Sequence, residues 1–194
     1  MRYFIFLMTV LLGLPSIAKD MMDMRVYGKE APTKMYLFTS LVCPHCAEFH
    51  REILPAIQEK YLKTNKTQLV VVDMLMNKPN LMGAMLLRCA PEDKTNQMED
   101  ALYSDQPAWA LDENKARAYL AEAASRGGIS AGEFENCLSN TELAKTIVTE
   151  QERMSRLYDV KRMPTLMVRQ GEKTSSWEGA DKETILNGLS EFFK

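Results

Sequence analysis

The 194-residue chain has few aromatics (8%), glycines (9) and prolines (8), a profile that excludes collagen-like and low-complexity polymers. It has no basic block: 24 Lys+Arg and 26 Asp+Glu are scattered in both signs. Nothing therefore reads as a phosphate-neutralising surface, and no nucleic-acid partner is expected. No apolar run reaches the roughly 18 residues of a membrane span; the run from Tyr3 to Ala18 is broken by Pro15. No Gly/Ser- or Pro-rich linker divides the sequence, and 46% hydrophobic residues suffice for a sizeable core.

The N-terminus has the layout of an export signal. Arg2 is basic, Phe4 to Leu14 is apolar, and Ser16-Ile17-Ala18 offers a small-x-small site before Lys19-Asp20. The expectation is a signal peptide over 1–18, cleaved after Ala18; the competing reading is an uncleaved anchor, which the run's length disfavours. Four cysteines follow, at Cys43, Cys46, Cys89 and Cys137, in a chain expected to enter an oxidising compartment. Cys43 and Cys46 are the natural local pair. Cys89 and Cys137 then either bridge, contributing about 4 kcal/mol by loop entropy, or remain buried thiols.

Met35 to Val42 is an almost continuous β-prone run, the pattern of a strand buried on both faces. It leads into Cys43-Pro44-His45-Cys46, after which Cys46, Phe49, Ile53, Ile57 and Tyr61 mark one helix face, with a kink expected at Pro55. Leu69 to Met74 reads as a second buried strand, which makes a parallel βαβ unit. From Pro79 to about Tyr158 the pattern is helical. Capping boxes at Ser130/Glu133 and Ser139/Glu142 open two of these helices, the second with Leu143, Ile147, Met154, Leu157 and Tyr158 inward. Strand character returns at Thr165–Val168, turns at Gln170-Gly171 and resumes toward Trp177. Asp181 then caps a final helix that buries Ile185, Leu186, Leu189, Phe192 and Phe193.

The spacing places Cys43 at a helix N-terminus, where unpaired N–H groups, the helix dipole and a protonated His45 all favour a thiolate. Cys46, one turn inside, is expected to be the buried partner. A stabilised Cys43 thiolate makes the Cys43–Cys46 disulfide oxidising. Haem attachment is excluded, because Ala47 rather than His follows Cys46.

Taken in order, strand, Cys-Pro-His-Cys, kinked helix, strand, long helical insertion, Met163-Pro164-Thr165, hairpin and helix resemble the DsbA branch of the thioredoxin superfamily. The resemblance implies an α/β thioredoxin-like fold, a mixed sheet with flanking helices. That domain would span 19–77 and 159–194, interrupted by an all-helical insertion over 78–158. It implies that Pro44 and His45 tune the redox pair, that Pro164 is cis, and that Met163 meets both the pair and the substrate backbone. It further implies a periplasmic monomer that needs no cofactor or metal. Such a protein would exchange disulfides with unfolded exported proteins carrying free cysteines and be reoxidised by a DsbB-like inner-membrane quinone reductase. Two departures stand out. Leu37 occupies the position, six residues before Cys43, where many relatives have a buried acid. Cys89 and Cys137 are an extra pair, expected to be a structural disulfide that tunes stability or redox potential.

Two other functions are compatible with the residues. An isomerase or reductase usually assembles through an N-terminal extension, for which the positions between 19 and about 33 are too few. A copper- or zinc-binding module would draw on Cys43, Cys46 and His50, which share a helix face, and on Met21, Met22 and Met24 as soft ligands; a fourth strong ligand is missing.

Overall fold

A computed structural model describes residues 24–179 and 181–194. The expected signal segment 1–18, its cleavage after Ala18, and Met21 and Met22 lie outside the described residues.

A five-stranded sheet in the order β1-β3-β2-β4-β5 forms the centre. β2 (Thr33–Thr39) and β3 (Thr67–Asp73) are parallel, with Leu37 opposite Val71. Both are buried along nearly their whole length, as the unbroken apolar runs require. β2 stops at Thr39 rather than continuing to Val42, because residues 40–42 turn the chain into the next helix, with Cys43 N–H donating to the Ser40 carbonyl at 3.2 Å. The hairpin of β4 (Thr165–Gln170) and β5 (Lys173–Glu178) extends the sheet on the β2 side. On the other edge lies β1 (Arg25–Tyr27), a three-residue strand antiparallel to β3 that is too short to show a periodicity.

The crossover between β2 and β3 begins with α1 (Pro44–Glu52) and bends at Ile53 into α2 (Leu54–Ile57). Pro55 has no N–H for the Arg51 carbonyl, which accounts for the bend. A π-helical turn at Gln58–Leu62 ends the segment and buries both Tyr61 and Leu62. This side of the sheet is closed by Met35, Leu37, Phe49, Ile53 and Ile57 together with Ile185 and Leu189. The last two come from α9 (Lys182–Phe192), capped by Asp181. The opposite side packs Tyr36, Phe38, Val70 and Val72 on Met24 and Met154.

Between β3 and β4 run six helices: α3 (Lys78–Cys89), α4 (Glu92–Ser104), α5 (Gln106–Trp109), α6 (Glu113–Arg126), α7 (Ala131–Leu138) and α8 (Thr141–Tyr158). They share one apolar core, which also takes in Leu41, Val42, Cys46 and Ala47, so the Cys43–Cys46 motif sits against the helical region rather than beside it. Trp109 is fully buried, and its Nε1–H donates to the Leu102 carbonyl at 3.0 Å. Truncating such a residue to Ala costs about 3–5 kcal/mol. Gly83 in α3 lets Leu41 and Trp109 approach; a Cβ there would meet Leu41 Cδ1 at 3.0 Å.

The Ser130/Glu133 capping box is present on α7. The expected box at Ser139/Glu142 is not: Asn140 caps α8 by accepting from Leu143 N–H at 3.0 Å. Ser139 is instead the C-cap of α7, and its hydroxyl donates to the Asn136 carbonyl at 3.2 Å. Asx and Ser side chains compete for the same role, and of the two residues between the helices only Asn140 has the extended conformation that a cap needs. Leu157 also departs from expectation. It is 60% exposed, because Met154 and Tyr158, four apart, set the face that α8 turns to the sheet.

Candidate active site

Cys43 is the N-cap of α1, in extended conformation (φ −95°, ψ 120°), with Pro44 in the first turn where its missing N–H leaves no bond unmade. The Cys43 carbonyl accepts from the N–H groups of Cys46 (3.0 Å) and Ala47 (3.1 Å). Two polar side chains from the helical region hold this corner. Asn80 of α3 accepts from Leu41 N–H at 3.2 Å and donates to Ser40 Oγ and the Met74 carbonyl, both at 2.8 Å. Gln106 of α5 donates to the carbonyls of Leu41 (2.8 Å) and Cys43 (3.1 Å). Each is a buried amide whose hydrogen bonds compensate its desolvation, and each straps the loop that carries Cys43 to the insertion.

The two cysteines are free thiols in opposite environments: Cys43 is half-buried and Cys46 fully buried. A hydrogen bond from the Cys46 thiol draws the Cys43 pKa down to about 6. Backbone N–H groups of Cys46 and His45 add to this against partial burial, and the His45 charge contributes least. The His45 ring is 80% exposed, with Nδ1 3.7 Å from Glu48 Oε2, so its role in tuning Cys43 is smaller than the sequence suggests. The same bond to Cys43, together with burial, pushes the Cys46 thiol well above the usual range. Cys43 is thus the sulfur that carries charge and meets solvent, and Cys46 its protonated reserve.

The Met163–Pro164 peptide is cis. It is braced by Gly179 N–H donating to the Pro164 carbonyl at 2.7 Å and by Thr165 Oγ1 donating to the Arg162 carbonyl at 2.7 Å. Thr165, next to Pro164, pairs with Phe38 near the end of β2 that leads to Cys43, and Met163 and Cys43 both pack on the apolar cluster that contains Cys46. Cys89 and Cys137 are disulfide-bonded, Cα–Cα 6.2 Å, and join α3 to α7.

A chain of this shape is found in known proteins. A family model described as thioredoxin matches residues 20–184. The chain belongs to the thioredoxin family. Among solved structures, alpha-DsbA1 of Wolbachia pipientis superposes with a TM-score of 0.77 at 20% identity, covering 94% of each chain. Oxidised BdbD of Bacillus subtilis gives 0.73 at 20%, covering 93% of this chain and 96% of that one. These likenesses place the sheet and its helical region in a DsbA-like arrangement. A Rickettsia typhi protein named as a protein-disulfide oxidoreductase is 33% identical over 130 residues, 66% of this chain and 48% of its own length. The chain thus spans about half the length of the curated relatives it matches.

Within this thioredoxin fold, Leu37 lies in the apolar cluster beneath α1 and offers nothing to Cys46. His50 does not converge with the cysteines: its Nε2 lies 2.6 Å from Asp100 Oδ1, and its ring stacks on Tyr103 at 4.5 Å. Met24 is buried against the sheet. Among the described residues no three His, Cys, Asp or Glu side chains are grouped to hold a metal. Asn80, Gln106, Thr39 and Tyr103 escape a reading by motif. Of these only Thr39 gives a signal, a hydroxyl inside the apolar run from Met35 to Val42.

Proposed function

We propose that this chain is a dithiol–disulfide oxidoreductase of the periplasm that donates the Cys43–Cys46 disulfide to newly exported proteins. The observation that carries the reading is the opposed pair of thiols, with Cys43 lowered to about 6 and half-exposed and Cys46 raised and buried. A leaving thiol of low pKa departs readily, and a stabilised thiolate favours the reduced enzyme, which makes the disulfide oxidising. A substrate thiolate attacks Cys43 Sγ and Cys46 leaves. A second substrate thiol then attacks the substrate sulfur of the mixed disulfide, and Cys43 departs as the thiolate. Reoxidation would fall to a DsbB-like quinone-linked membrane partner.

Exposed apolar side chains beyond the end of β3 support unfolded chains as substrates. Met76 is 60% and Leu111 88% exposed. Their loops are tied by Asn77 Nδ2–H donating to the Ala110 carbonyl at 2.8 Å, at the end of the parallel strands where Cys43 lies. The test is the equilibrium of the Cys43–Cys46 pair with glutathione. An oxidising potential is expected; a potential as reducing as that of a stable structural disulfide would mean that the protein removes or reshuffles bonds instead.

A further inference from the structure

Opening the Cys43–Cys46 disulfide leaves an electron pair, and a full negative charge, on a sulfur that water cannot reach: Cys46 is 0% exposed. Charge on a desolvated atom is costly unless donors are already aimed at it. Donors from two sides of the loop are in place. Ser40 N–H donates to Cys46 Sγ at 3.3 Å. Thr39, the next residue back along the chain, acts on the same sulfur, its hydroxyl drawing the Cys46 pKa down against burial. Thr39 Oγ1 is in turn 2.9 Å from the Tyr103 hydroxyl, in a contact buried on both sides.

The elements fix these donors. Thr39 is the last residue of β2 and pairs with Asp73 of β3, which fixes its backbone, and its side chain is buried. Tyr103, on α4, is 2% exposed, and its ring is held by the His50 stack. Thr39 has one hydroxyl proton. When it is given to the sulfur, the oxygen needs a donor behind it, and Tyr103 is the group in place. Burial keeps the Tyr103 phenol far above its ordinary pKa, so it holds its proton throughout the working range.

We propose that Thr39 and Tyr103 form a two-hydroxyl donor chain that stabilises the charge developing on Cys46 Sγ as an incoming thiolate opens the Cys43–Cys46 disulfide. Thr39 acts on the reacting sulfur itself; Tyr103 is a positioning residue that acts through Thr39. The inference rests on the disulfide-exchange reading above and deepens it. In the step concerned, a bond forms between the substrate sulfur and Cys43 Sγ, the Cys43–Cys46 bond breaks, and its electron pair goes to Cys46 Sγ. The first substrate thiol has released its proton to water. The second releases its proton to Cys46 when it attacks, which leaves Cys46 as a thiol and Cys43 as the thiolate.

The donors serve a charge that exists only in passing, since at rest in the reduced form Cys46 is protonated. They therefore govern the rate of opening and leave the equilibrium alone, which a merely structural role would not do. The experiment is the rate at which reduced glutathione opens the oxidised chain, followed by acid quenching and mass analysis of alkylated samples, alongside the equilibrium constant with glutathione.

Thr39→Val is expected to open about tenfold more slowly, the scale of one lost hydrogen bond to a charged group. Thr39→Ser should recover to within about threefold of the parent on the same argument, and Tyr103→Phe should slow opening severalfold. All three should keep the equilibrium constant within about twofold. A Thr39→Val rate within about twofold of the parent overturns the proposal, as does a Thr39→Ser rate no better than that of Thr39→Val. A parent chain that glutathione opens no faster than a simple peptide disulfide brings down the exchange reading itself, and that result is seen before any variant is compared.

Discussion

At Cys43 the balance of effects can be ranked. The bond from the Cys46 thiol outweighs partial burial, and the His45 charge comes last. Cys46→Ala should therefore raise the midpoint of Cys43 ultraviolet thiolate absorbance well above the pH of about 6 expected for the parent, and His45→Ala should move it far less. The reverse order would mean that the exposed imidazole and not the neighbouring sulfur sets the thiolate. The same shift bears on stability. Because the folded value is depressed, ionised Cys43 stabilises the reduced fold fully above the unfolded value near 8.5, and that contribution is lost as pH falls through about 6. The reduced chain should thus gain on the oxidised chain between these two limits as pH rises. Paired urea transitions at both ends of the window check the sign.

At the level of elements, the bridge between α3 and α7 closes a separation of 48 residues, and an unfolded chain released from such a loop gains entropy worth about 4 kcal/mol. Cys89→Ala with Cys137→Ala should lower urea stability by up to that amount while the rate of Cys43–Cys46 exchange stays near the parent's. A folded double variant without exchange activity would show that the bridge takes part in the chemistry. Elements also explain what could be read in the residue order. The buried strands at Met35 and Leu69 and the helical face from Cys46 to Tyr61 were legible because each is a local pattern repeated over several residues, and the Asp181 cap because it stands just ahead of such a pattern. β1 was not, since three residues have no periodicity and pair only because β3 presents an open edge. Asn140 displaced Ser139 as a cap because two adjacent side chains of similar propensity are separated only by backbone geometry. In the site, Cys43, Cys46 and the Met163–Pro164 bond announced themselves as motifs. Asn80, Gln106, Thr39 and Tyr103 come together only in three dimensions, from separations of 39 to 65 residues.

Across the whole molecule, charge joins what the apolar cores leave separate. Asp73, at the end of β3, meets Arg25 of β1 at 2.7 Å and Arg88 of α3 at 2.6 Å; Arg25 reaches Glu99 of α4 at 2.6 Å, and Arg88 reaches Glu150 of α8 at 2.9 Å. Sheet and helical region are thereby linked through one buried network, which Tyr27 extends by donating to Glu99. Burial opposes ionisation of Asp73, but the two guanidiniums outweigh it and hold the carboxyl below its ordinary pKa. Its contribution to stability is therefore complete above the unfolded carboxylate value near 3.9 and is lost as pH falls through the lower folded value. Asp73→Asn leaves two buried cations with one partner fewer each. It should cost about 3 kcal/mol at neutral pH, the lower end for a broken buried pair, because Glu99 and Glu150 remain. Urea transitions of parent and variant should differ by that amount at neutral pH and converge as the solution is taken below pH 3.9. A difference that persists unchanged into acid would locate the cost of the substitution in packing rather than charge, and the network would then be a consequence of the docking between sheet and helices instead of a cause of it.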